Sequence, residues 1–468
     1  MARHRILLLF FGMALAAAAS MMLAISKHIL TPIHMLAAGT VLITLYIIPY
    51  LPPLKADMPT TSGKILLAIL CIAFYIRTFI VFAIPYFAGF DTAHYIASSL
   101  YFAKNWDEVP ATLIFSTETM HIAFPWGEKV DYPFYEPLSY FLFASTIKLG
   151  LPPMLIPLLI VPFFSTITLL PFFLLVRRVS DGRTALVATA LLTFSPMQFR
   201  MMLDLYKNVI ANFFLFCSLY FFMAEKSRIP YRSLASATLL FATSIPMSAL
   251  LMGTIGIHSI VKKDSRELRR LALIVFAALL LSLAPIRVFN AFDPILKTGE
   301  KVTPSLMDMM KELDFGRVFF PLVPLAIFTL PVLKDYKKQN FELALLLSTV
   351  AFAIPMLFLK GLFVSRPLFM LEFSLAIFAA ISIGALGQAY YFLTAIAWLG
   401  WETLFYVKVW YQPWPAVWQA FEGICEGMPE IHRSADIHSW VFYCLLFTIA
   451  VICIYALGNH LYEQGRKE

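Results

Sequence analysis

The stretch "LLTFSPMQFRMMLDLYKNVIANFFLF", residues 191–216, holds two apolar runs separated by a Ser-Pro pair and three charged residues. Proline disfavours continuation of a helix, so one apolar segment ends near Ser195-Pro196 and the next begins after Lys207. A charge at the centre of a bilayer costs on the order of 2.5 to 3.5 kcal/mol, which makes Arg200, Asp204 and Lys207 markers of a membrane boundary. They recur at i, i+4, i+7, so an unbroken helix would present two cations with a carboxylate between them on one face. Two readings stand: the face receives a phosphate, or Arg200 and Asp204 form an ordinary ion pair while Lys207 snorkels to water.

Composition supports the membrane setting. The chain has 468 residues, 60% hydrophobic and 14% charged, with mean hydropathy +0.79. Ordinary globular chains carry about 25% charged residues, so this one reads as a polytopic membrane protein. The formal net charge of +8 lies in short Lys/Arg clusters between apolar stretches, a pattern of membrane orientation that argues against a nucleic-acid partner. Cys71, Cys217, Cys444 and Cys453 sit in apolar stretches and only Cys425 in a polar one, so neither a disulfide framework nor metal-cysteine spacing is present.

Apolar windows predict spans near 6–25, 31–51, 65–87, 153–176, 184–198, 208–224, 271–289, 318–333, 341–359, 367–387, 390–407 and 439–459. The first resembles a signal peptide, but its length and the second span close behind favour a retained helix. Residues 233–261 have basic residues on both flanks, which favours a helical hairpin broken at "SIPMS" over one crossing. The expected fold class is therefore all-α, a polytopic membrane protein with roughly 14 membrane helices. Both termini are expected in the cytoplasm, together with Arg177, Arg178 and Arg183, in the cytoplasmic membrane. Segments 88–152, 199–207, 290–317 and 408–438 then face outside, and chemistry is expected there. "YEPLSYFLFASTIKLGLPP" is short for a span and reads as a helix in the interface.

Within the long first external loop, "GFDTAHYIASSLYFAKN", residues 89–105, follows directly on a span. If helical, it places Asp91, His94, Tyr95 and Ser98 on one face. Asp91 either caps that helix, or performs chemistry, or does both. His94 alone reads as a hydrogen-bonding interfacial residue. Arg366, where two later spans meet, either holds a phosphate bidentately or pairs with Glu372 in the next helix. The aromatic stretch 409–421 reads as an interfacial belt.

The series "GFDTAHYIASS", "YPFYEPLSY", "VRRVSDGR" and "LLTFSPMQFRMMLDLYKN", in that order, resembles the GT-C superfamily of membrane glycosyltransferases, particularly archaeal-type members. That superfamily includes the protein O-mannosyltransferases and aminoarabinose transferases. The resemblance covers residues 65–260 well and the C-terminal third by hydropathy alone. It implies N-terminal membrane helices over 1–64, a catalytic membrane module over 65–260, and C-terminal membrane helices over 261–468. It further implies inverting transfer of a single sugar from a polyprenyl- or dolichyl-phosphate donor to an external glycan, lipid or protein acceptor. Asp91 is then the base, and Arg200, Asp204, Lys207, Arg366, His94, Tyr95 and Glu136 bind substrate or phosphate.

Relatives often pair two acidic residues in the first loop, whereas Asp91 is flanked by Phe90, Thr92 and Ala93. A divalent cation, Mg or Mn, would need Asp91 completed by Glu118, Asp131 or Glu136. No WWDYG-type motif occurs, which favours transfer of one sugar over transfer of an oligosaccharide to asparagine. The competing class is a transporter or flippase of lipid-linked saccharides, which predicts ionisable residues deep in the spans; Arg77 and Glu402 are in such positions. A non-catalytic membrane protein descended from such enzymes is the third reading.

Overall fold

A computed structural model describes residues 60–83, the positions 92, 95, 96, 99, 100 and 103, then 112–113, 132–133, 137–225, 230–263, 265–281, 322–327, 365–386, 389–410, 443–450 and 453–454. Its elements are α1 (Thr60–Ala83), β1 (Thr112–Leu113), β2 (Tyr132–Pro133), α2 (Pro137–Lys148), a π-helical turn (Ile156–Ile160), α3 (Val161–Ile167), α4 (Leu169–Val179) and α5 (Gly182–Thr193). There follow α6 (Pro196–Asp204), α7 (Tyr206–Ala224), α8 (Tyr231–Thr243), α9 (Ile245–Lys262), α10 (Ser265–Leu281), α11 (Leu322–Ile327), α12 (Ser365–Leu386) and α13 (Ala389–Trp410).

Among the described residues, Ser62–Val81, Ile156–Arg178 and Tyr206–Ala224 are long and apolar enough to cross a membrane, as the hydropathy windows predict. These are the helices of a membrane protein; the expected total of roughly 14 rests largely on residues outside those described. The described elements are helical, as the all-α expectation has it, apart from a two-residue antiparallel ladder that pairs Thr112 with Pro133 and Leu113 with Tyr132.

Helix α1 shows how the apolar runs divide. Ile65, Ile72 and Phe79 repeat every seven residues on its exposed side, while Leu66, Ala73, Phe74, Arg77 and Ile80 face the bundle. Bundle-facing aromatics then fill the space between helices: Phe172 of α4, Phe216 of α7 and Phe373 of α12 meet at ring-centre distances of 4.5 to 5.5 Å. Small residues bring α7 and α8 close, with Ser218 Oγ 3.0 Å from Ser236 Oγ and Ser233 Oγ donating to the Ser218 carbonyl at 3.2 Å.

Turn chemistry at the other end is polar. Asp181 caps α5, its carboxylate accepting from the N–H groups of Arg183 and Thr184 at 2.8 and 2.9 Å. Arg178 donates to the Met223 carbonyl at 2.9 Å, and Arg270 to those of Phe222 and Glu225 at 3.3 and 2.7 Å. The last carbonyls of α7, which no helical N–H can reach, are thus held by guanidinium groups from α4 and α10. Glu225 in turn accepts from the N–H groups of Arg232 and Ser233 at the start of α8. Residues 231–262 therefore leave and return at the same end of the bundle. Their break falls at Ser244, extended at φ −157°, ψ 115°, with Pro246 in the first turn of α9. A broken hairpin is the expected form, and this is the form observed.

Candidate active site

The quoted stretch 191–216 contains two breaks. Pro196 lacks the N–H that would continue α5, and α6 leaves α5 at a bend of 54°. Leu205 then departs from helical geometry at φ −117°, ψ 60°: its N–H closes α6 on the Met201 carbonyl at 2.8 Å, and its own carbonyl opens α7 by accepting from Asn208 and Val209. The expectation of one continuous helical face through Arg200, Asp204 and Lys207 is corrected by this geometry. Arg200 and Asp204 belong to α6 and Lys207 to the first turn of α7, on opposite sides of a corner. Arg200 and Lys207 are both half-buried there, and the structure describes Asp204 by its backbone.

The corner is where the segment 92–103 docks. The described residues of 92–103 are helical, and Ser99 Oγ donates back to the Tyr95 carbonyl within it. Its buried residues are Thr92, Tyr95, Ile96 and Ser99, spaced i, i+3, i+4, i+7. Thr92 Oγ1 donates to the Leu203 carbonyl at 2.7 Å. The Tyr95 ring stacks on Tyr206 at 5.2 Å and lies against Tyr140 and Phe143 of α2 at 5.6 and 6.5 Å. Tyr95, expected on a polar stripe, is 1% exposed, because its ring fills the space between α2 and α7. The residues on either side of Asp91 and Asp204 are thus joined: Thr92, next after Asp91, bonds to Leu203, next before Asp204. Asp91, His94, Glu118, Asp131 and Glu136 lie outside the described residues, and of Arg366 only the backbone is described.

Beneath the corner is a polar group that sequence reasoning did not assemble. Glu372 of α12 is 1% exposed and accepts from Gln198 Nε2 of α6 at 2.8 Å. Arg77 of α1, fully buried, supplies the countercharge and directs a guanidinium N–H toward the Leu192 carbonyl at 3.4 Å. Thr403 of α13 donates to the Phe194 carbonyl at 2.7 Å. The carbonyls released by the bend between α5 and α6 therefore find donors on two other helices. Among the described residues Glu372 meets Gln198 and Arg77, on helices distant in sequence; two ionisable residues inside separate apolar runs were the signal for such a pairing. Asn208, fully buried beside Lys207, has no hydrogen-bond partner for its side-chain amide among the described residues. Asn212 donates to Met201 Sδ at 3.4 Å.

Among the described residues no group of His, Cys, Asp and Glu side chains is arranged to hold a metal ion. The acidic residues considered for Mg or Mn are outside them.

No protein-family model matches the sequence, and no curated protein matches it. Solved structures similar to this fold include the oligosaccharyltransferase of Archaeoglobus fulgidus in its apo form, at 14% identity and TM-score 0.47, covering 77% of this chain and 56% of that one. The complex of the same enzyme with Zn and sulfate matches at 15% identity and TM-score 0.47, covering 76% and 53%. The chain spans little more than half the length of those proteins.

Proposed function

We propose that this protein is a membrane glycosyltransferase that moves a single sugar from a polyprenyl- or dolichyl-phosphate donor to an external hydroxyl acceptor with inversion. What supports this reading is the joint between Thr92 and Leu203, which ties the segment following Asp91 to the corner carrying Arg200, Asp204 and Lys207. Asp91 removes the acceptor hydroxyl proton as the oxygen attacks the anomeric carbon, a contribution of about 10² to 10⁴-fold. The bond from that carbon to the phosphate oxygen breaks on the opposite side, and its electron pair leaves with the lipid phosphate. Arg200 and Lys207, with Arg366 from the start of α12, meet the charge growing on that phosphate, and His94 and Glu136 contact the sugar. Tyr95 supports the corner from within. A Mg or Mn ion would be held by Asp91 with Glu118 or Asp131 and would supply positive charge to the donor phosphate; Asp131 directly precedes the strand Tyr132–Pro133.

Purified protein in lipid, given a panel of polyprenyl-phosphate monosaccharides, should release lipid phosphate. Asp91→Asn should abolish release and Lys207→Ala should weaken it. Turnover unaffected by both changes would sink the assignment of the site. A second reading, transport of lipid-linked saccharides, is favoured by the buried Arg77 and Glu372 and by the bent α5–α6 pair. It predicts donor movement across vesicles without cleavage.

A further inference from the structure

Helix α6 begins at Ser195, whose own side chain makes no capping bond. Its first-turn N–H groups would normally take an acceptor from that residue. Here the first turn is held from outside: Gln198 Nε2 donates at 2.8 Å to the carboxylate of Glu372, brought in by α12. The carboxylate lies at the positive end of the α6 dipole and opposite Arg77 of α1, so three helices converge on one charge-balanced point.

We infer that Glu372, Gln198 and Arg77 are positioning residues: Glu372 tethers the first turn of α6 through the Gln198 side chain and fixes its tilt, and through it the placement of Arg200 and the corner. This rests on the glycosyl-transfer reading of that corner. Helix α6 has nine residues, so the corner lies about 13 Å from the tether. A tilt of about 5° pivoting on the bend at Phe194–Ser195 would move the corner by about 1 Å, a misplacement that costs about 10²-fold in rate. The sequence places the pivot where Pro196 interrupts the hydrogen-bond ladder, so α5 itself does not fix the angle.

Two double variants separate the tether from charge. Arg77→Met with Glu372→Met removes the tether together with its countercharge. Folding should survive, because replacing opposite buried charges by apolar residues is often neutral or stabilising. Arg77→Met with Glu372→Gln removes the charges and keeps a carbonyl acceptor for the Gln198 amide. In the first variant, hydrogen exchange across 196–204 should rise about fivefold to tenfold, with peptides from α4 and α7 unchanged. Its kcat should fall about 10- to 100-fold while KM for the donor stays within about twofold. The second variant should restore both quantities to near wild type. Unchanged exchange in the first variant overturns the tether. Faster exchange with unchanged kcat overturns the positioning role, and equal losses in both variants assign the effect to charge. Absence of transfer by wild-type protein with every donor defeats the glycosyl-transfer reading, while the exchange comparison still decides whether Glu372 holds α6.

Discussion

Segment 92–103 is joined to the corner by the Thr92 hydroxyl beside the stacked Tyr95 and Tyr206 rings, and replacing Thr92 by Val deletes that hydroxyl with little change in shape. Thr92 is fully buried and Leu203 is 7% exposed, so water does not readily take the place of the lost donor. Leu203 lies in the last turn of α6, where carbonyls lack helical partners, and Thr92 supplies one at 2.7 Å. A typical hydrogen bond contributes about 0.5 to 1.5 kcal/mol net, and a buried carbonyl left without a partner costs about 1 to 3 kcal/mol. Taking about 1 to 2 kcal/mol, the equilibrium for undocking the 92–103 helix should shift about 5- to 30-fold toward the open form. Hydrogen exchange measured on peptides spanning 203–209 reads this directly, because local opening sets the rate there. Thr92→Val should accelerate exchange by that factor, and Thr92→Ser, which keeps the hydroxyl, should stay within about twofold of wild type. Exchange unmoved by Val, or moved equally by Val and Ser, would refute the reasoning. Sugar transfer should follow the same order, since Asp91 is the residue before Thr92.

Other expectations concern the same framework. Tyr206 is 2% exposed and touches Tyr95 and Phe143, so Tyr206→Ala should cost about 3 to 5 kcal/mol while Tyr206→Phe keeps the ring contacts; thermal denaturation in detergent should rank them so, and equal loss by both would mean the hydroxyl matters more than the ring. Asp181→Ala should cost about 1 kcal/mol through the lost cap of α5. Its wild-type contribution should also depend on pH. Partial burial opposes the Asp181 charge, but bonds from Thr184, Arg183 and Ser180 outweigh it and hold the carboxyl below its ordinary value. The folded-state pKa lies below the unfolded one, so the stabilisation is present above the unfolded pKa and is lost as pH falls through the folded value. An acid titration of stability in which wild type and Asp181→Ala converge only at higher pH would contradict this.

Much of the architecture could be read from the chain because a bilayer tolerates few patterns. The runs 65–87, 153–176 and 208–224 had to be helices, and "SIPMS" between two basic flanks had to turn back. Harder to read was what happens between runs. The spacing Arg200, Asp204, Lys207 fits a helix perfectly well, and nothing in "LDLYKN" announces that Leu205 will leave helical geometry; Thr92 and Tyr95, which pack beside the break, come from far along the chain. Tyr95 illustrates the same limit, since a tyrosine satisfies a polar stripe and an aromatic core equally, and only the neighbours decide. Glu372 is close in sequence to Arg366, whose side chain lies outside the described residues, and packing also brings Gln198 and Arg77 to Glu372 from helices far along the chain.

The arginine clasp on α7 bears on the order in which the chain assembles. Arg178 precedes α7 and is already in place when that helix leaves the ribosome, whereas Arg270 follows Glu225 by 45 residues. Until α10 has been made, the carbonyls of Phe222 and Glu225 lack their guanidinium donor and the exit of α7 is only half closed. The hairpin of α8 and α9 is synthesised in that interval and must insert beside an unfinished helix end. Completion of α10 therefore acts as a latch on everything made since residue 206, and a nascent chain arrested before Arg270 would leave that end of the bundle open.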